Sequence, residues 1–108
     1  MVPGMYHCSG GPGADQFGGA GHRTWPGDPG RDVLWALIRW VEDGRAPDRL
    51  VAARRVGDRE TLTRTLCPMP LAARYDGRGA SADASFYACT PDTVLRDRLF
   101  QLPIGDRP

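Results

Sequence analysis

The 108-residue chain contains no lysine; all 14 of its basic residues are arginine. They are scattered rather than clustered, which reads as a coding bias, and 13 acidic residues leave a net charge of only +1. So even a balance lacks the basic patch of a nucleic-acid surface or an anionic-membrane surface. There is no run of 18 apolar residues, hence no membrane-spanning helix. The opening MVPG has neither the charged start nor the apolar stretch of a signal peptide. No G-x-S-x-G nucleophile elbow, H-E-x-x-H, Walker loop or Rossmann fingerprint occurs. Internal repeats are absent. Cysteine is scarce and odd in number, with three in all. In an exported protein that leaves one thiol over, or a partner on another segment.

Glycine (14) and proline (10) are in excess of ordinary usage, and the length suits one small domain. Residues 1–31 hold most of the glycine and keep no hydrophobic period, so they read as a long loop. A loop of that length tends to be functional or disordered. In DVLWALIRWVEDG, Val33, Leu34, Leu37, Ile38 and Val41 recur at helical spacing and predict a helix over 33–43. Asp32 is the expected N-cap and Gly44 the expected terminator, with Pro47 beyond. Trp35 and Trp40 widen its apolar face, which needs a covering surface that this chain scarcely offers. LVAARRV reads as a strand, Gly57-Asp58 as a turn, and ETLTRTL as a second strand stopped by CPMP. LAARY suggests a third short strand, DGRGASAD is turn-rich, and SFYAC brings aromatics up to Cys89. The charged, proline-ended tail 92–108 reads as flexible, with one or two helical turns at most.

Four features bear on chemistry. His7 is either a loop histidine without a role or a general base. Its glycine-rich surroundings allow close backbone approach, and the adjacent Cys8 is placed to pin the loop, as a base must be held within reach of its proton. Cys8 is otherwise a free thiol. Cys67 and Cys89 are either unrelated thiols or a bonded pair, which would contribute about 3.4 kcal/mol by restricting the unfolded chain. A zinc site from His7, Cys8, His22 and a later cysteine lacks the usual close-paired spacing. The fourth feature is the missing nucleophile.

PGMYHCSGGPG, then WVEDGRAPDRLVAAR, then TRTLCPMPLAARYDGRGASADASFYAC, together resemble the C-terminal end of the tannase/feruloyl esterase family. The similarity covers most of residues 2–90 in the same order. It implies a secreted or periplasmic serine hydrolase of α/β class, on an α/β-hydrolase core with a large lid. It implies that His7 is the triad histidine, and that Cys8 pairs with a cysteine just before the nucleophilic serine, upstream of this chain. It also matches Cys67 and Cys89 to a late family disulfide. In such hydrolases the triad runs serine, acid, histidine, so the serine and acid are expected in an N-terminal segment absent here, as is the lid with its structural calcium site. No cofactor is expected within this segment. The expected substrates are small aromatic-acid esters, gallate or feruloyl. On this reading, residues 1–91 are the C-terminal portion of the hydrolase domain, inactive alone. The rival expectations are a non-catalytic disulfide-stabilised module that binds a partner through its tryptophan-rich helix, a truncated pseudo-enzyme, and a small metal-binding protein.

Overall fold

Helix α1 spans Val33–Asp43, as its apolar period predicts. The Asp32 carboxylate accepts from the N–H groups of Leu34 and Trp35, at 3.0 and 3.4 Å, and so satisfies two donors that the helix itself cannot. Gly44 ends the helix at φ 68°, its N–H donating to the Trp40 carbonyl at 3.1 Å. Only Ala36 of α1 is buried. Leu34 (55%), Leu37 (52%), Trp40 (52%) and Val41 (76%) remain exposed, so the wide apolar face has no cover among the described residues. Those residues, in this computed structural model, are 2–19 and 22–92.

β1 (Leu50–Val56) and β2 (Arg59–Leu66) pair antiparallel, from Leu50 opposite Leu66 to Val56 opposite Arg59. Gly57, at φ 61°, opens the two-residue turn between them, where a side chain would be strained. Arg54 faces Leu62 and Arg55 faces Glu60, so Thr61 is the extra residue of a bulge.

β3 (Leu71–Tyr75) pairs antiparallel with β4 (Tyr87–Pro91), Leu71 opposite Pro91 and Tyr75 opposite Tyr87. The sequence pattern assigns no strand to SFYAC. In the structure a 3₁₀ turn, Ala84–Phe86, leads directly into β4. Pro91 lies at the strand's end, where a missing N–H does least harm.

The two ribbons are tied together at β2. The Thr63 hydroxyl oxygen accepts from the Ala84 N–H at 2.8 Å, and the buried Thr65 hydroxyl donates to the Ala84 carbonyl at 3.0 Å. A Cys67–Cys89 disulfide, with Cα atoms 5.7 Å apart, links the end of β2 to β4. Among the described residues the strands form two two-stranded antiparallel sheets; a parallel hydrolase sheet is not among them. Among the described residues the buried apolar ones are Ala14, Ala36, Ala52, Ala53 and Ala84. The helical turns expected in the tail lie outside the described residues.

Candidate active site

The glycine-rich segment is irregular, as its composition suggests, but it is bound tightly to β1. Gln16 forms an isolated bridge with Ala53, its N–H and carbonyl exchanging two 2.8 Å hydrogen bonds with Ala53. The Arg54 guanidinium donates to the carbonyls of Gly11 and Gly13. Phe17 accepts from the Val33 N–H at 2.8 Å, which brings the segment to the start of α1.

Asp32 is the hub of this docking. Besides capping α1, its carboxylate accepts from the Trp25 N–H at 2.9 Å, and the residue is almost wholly buried. Gly18 passes so close, at φ 83°, that a Cβ there would lie 2.6 Å from the carboxylate. The sequence reading identified the cap but not this second set of contacts, because Trp25 and Gly18 reach Asp32 through the path of the loop.

The His7–Cys8 pair hangs at the outer end of the segment. Tyr6 donates its N–H to the Gly10 carbonyl at 3.1 Å, so the chain folds back on itself around residues 7–9. Cys8 sits at φ 69°, the only non-glycine residue with positive φ among those described. The Ser9 N–H bonds to the His7 carbonyl at 2.9 Å. That i to i+2 bond across a left-handed residue is the pattern of a γ-turn, a rare and strained conformation. His7 is exposed, its Nδ1 3.0 Å from the Cys8 Sγ. Cys8 is free and exposed.

Two further residues stand close by. His22 places Nε2 2.7 Å from the Cys8 carbonyl and packs its ring edge-on against Phe17, centroids 5.1 Å apart. Asp15 accepts from the Gly10 N–H at 2.9 Å. Partial burial pushes the Asp15 carboxyl up, but the Gly10 N–H, the Gln16 side chain, its own backbone and the nearby His22 together hold it below 3.8. In the sequence His22 enters as a candidate metal ligand and otherwise lies outside the matched motif. Nothing in its local sequence marks it as a partner of Cys8.

The zinc arrangement that the spacing disfavours also loses its later cysteine. Cys67 and Cys89 are bonded to each other, so neither is available as a ligand. Among the described residues no group of three or more His, Cys, Asp or Glu side chains is arranged to hold a metal ion.

A crystal structure of feruloyl esterase B from Aspergillus oryzae matches 81% of this chain at a TM-score of 0.71 and 34% identity, covering 17% of that chain. Residues 1–90 match the family described as tannase and feruloyl esterase, and the chain belongs to that family. An uncharacterized esterase of Xanthomonas campestris pv. campestris is 43% identical over 94 residues, 82% of this chain and 16% of that protein. Mono(2-hydroxyethyl) terephthalate hydrolase of Piscinibacter sakaiensis is 40% identical over 100 residues, 82% of this chain and 13% of its own length. Feruloyl esterase C of Talaromyces stipitatus is 36% identical over 91 residues, 82% of this chain and 17% of its own length. The chain thus spans less than a fifth of each of these relatives.

Proposed function

We propose that this chain supplies the catalytic histidine, His7, of a serine carboxylic-ester hydrolase acting on aromatic-acid esters. The observation that carries the reading is an exposed His7 imidazole at the tip of a loop bound to β1 and α1, in a member of an esterase family. The serine and the acid come from outside these 108 residues, together with the rest of an α/β-hydrolase core and its lid. The uncovered face of α1, from Leu34 to Val41, is the surface that such a core would bury. Family membership weighs against a non-catalytic module.

His7 takes the serine proton as the hydroxyl attacks the ester carbonyl. It returns that proton to the departing alcohol, then activates water to release the acid. Its imidazole is exposed, which suits a ring that must face a serine supplied from elsewhere. The thiol of Cys8 lies against Nδ1, where the triad acid must bind. Once Cys8 is in a disulfide with a cysteine beside the serine, it has no proton to offer, and Nδ1 is left to the acid. The Cys67–Cys89 bond is consistent with an oxidising location, secreted or periplasmic. No cofactor is assigned to this segment.

The test is a chimera in which residues 1–90 replace the matching stretch of feruloyl esterase C, assayed on a feruloyl ester. Turnover is expected, and His7→Ala should lower kcat by a factor on the order of 10⁴ or more. A folded chimera whose turnover survives His7→Ala overturns the reading.

A further inference from the structure

We propose that His22 is a positioning residue that holds the His7 loop in its working shape. The inference rests on the reading of His7 as the base. Residues 7–9 make three hydrogen bonds or close polar contacts: Ser9 N–H to the His7 carbonyl, Cys8 Sγ to His7 Nδ1, and the Cys8 carbonyl to His22. The first two are internal. Among the described residues, only the third ties the tip to another part of the chain.

The chemistry of that bond fixes its direction. A carbonyl only accepts, so Nε2 of His22 carries the proton and donates it across 2.7 Å. Nδ1 of His22 is shielded from solvent with no partner among the described residues. Leaving a buried polar atom unpaired is unfavourable, so the ring is not held there by a wider polar network. It is held by its edge contact with Phe17 and by its own N–H, which donates to the Gly19 carbonyl at 3.2 Å.

What the bond stabilises is the peptide plane after Cys8. A left-handed cysteine persists only where its surroundings over-determine it. Without a donor on its carbonyl, Cys8 loses one of the restraints that hold its positive φ, and His7, one residue away, shifts with it. A base displaced by about an ångström loses most of its advantage in proton transfer while substrate binding is unaffected. His22 touches no reacting atom, so its contribution is to orientation.

Two variants of the same chimera separate hydrogen bond from packing. His22→Phe keeps an aromatic edge for Phe17 but has no donor. It should lower kcat about tenfold with little change in KM. His22→Gln loses the ring but keeps an amide N–H for the Cys8 carbonyl, and should stay within about threefold of the parent kcat. If His22→Phe does not fold, His22→Leu serves as the donorless variant. Parent-like kcat in the donorless variant, a loss confined to KM, or a larger loss in His22→Gln than in His22→Phe overturns the inference. If His7→Ala abolishes turnover while His22→Phe does not alter it, the positioning role alone falls. If turnover survives His7→Ala, the esterase reading falls and the positioning role with it.

Discussion

The loop-bearing region, residues 2–32, and the ribbon region, residues 50–92, are held by opposite means. The ribbons are joined by regular strand pairing, the Thr63 and Thr65 hydroxyls on Ala84, and a disulfide between Cys67 and Cys89. The ladder bonds there repeat along each strand, so losing one leaves its neighbours. The loop has little ladder to rely on. It depends on single anchors: the buried Asp32 carboxylate, the Gln16–Ala53 bridge, the Arg54 guanidinium, and His22 on the Cys8 carbonyl. His7, the proposed base, sits in the region where each contact is unique. A regular ladder supports a side chain in a standard conformation, whereas the tip of this loop requires Cys8 at φ 69°.

The contrast is sharpened or broken by perturbing one region at a time. The largest expected effect on stability is in the ribbons. Cys67→Ser with Cys89→Ser opens a link spanning 22 positions and should cost about 3.4 kcal/mol. Measured by denaturant unfolding of the chimera, that loss should come with kcat intact below the transition. A matching fall in kcat would show that the regions are not independent.

Asp32→Ala comes next. It removes the α1 cap and leaves the Trp25 N–H without its acceptor, together about 2 kcal/mol. Here kcat should fall along with stability, because the hub also seats the loop. Unchanged kcat would separate the hub from the tip.

The smallest effect is a matter of acidity. Asp15, in the loop, and Asp83, held low in the ribbons by the Ser85 N–H and hydroxyl, both have folded values below 3.8. A lowered carboxyl adds stability that is present above its ordinary value and lost as pH falls through the folded one. Melting temperature should therefore drop slightly more steeply below 3.8 in the parent than in Asp15→Asn. An identical acid profile for the two would show that the Asp15 bond to the Gly10 N–H adds nothing to stability.

The same contrast governs what was legible in the sequence. α1 and the first three strands could be read because each rests on a local period with its own stop signals, such as Asp32, Gly44, Gly57 and Pro68. β4 could not, because SFYAC has no clear alternation and becomes a strand by pairing with β3. His7 stood out through the short motif around it. His22 and the wider role of Asp32 did not, since both act on residues brought near by an irregular path with no period to reveal it.

One feature of that path bears on how the gene can change. Near the tip the chain crosses itself: the Gly13 N–H donates to the Gly4 carbonyl at 2.9 Å, and a Cβ on Gly13 would lie 2.4 Å from the Pro3 carbonyl oxygen. Exposed loops usually drift freely, accepting almost any residue. Here even alanine at position 13 has nowhere to go. A scan of all single substitutions should find an island on the outside of the molecule with the intolerance of a buried core. Random mutation would disturb this loop at a half-buried glycine as readily as at His7, the proposed base.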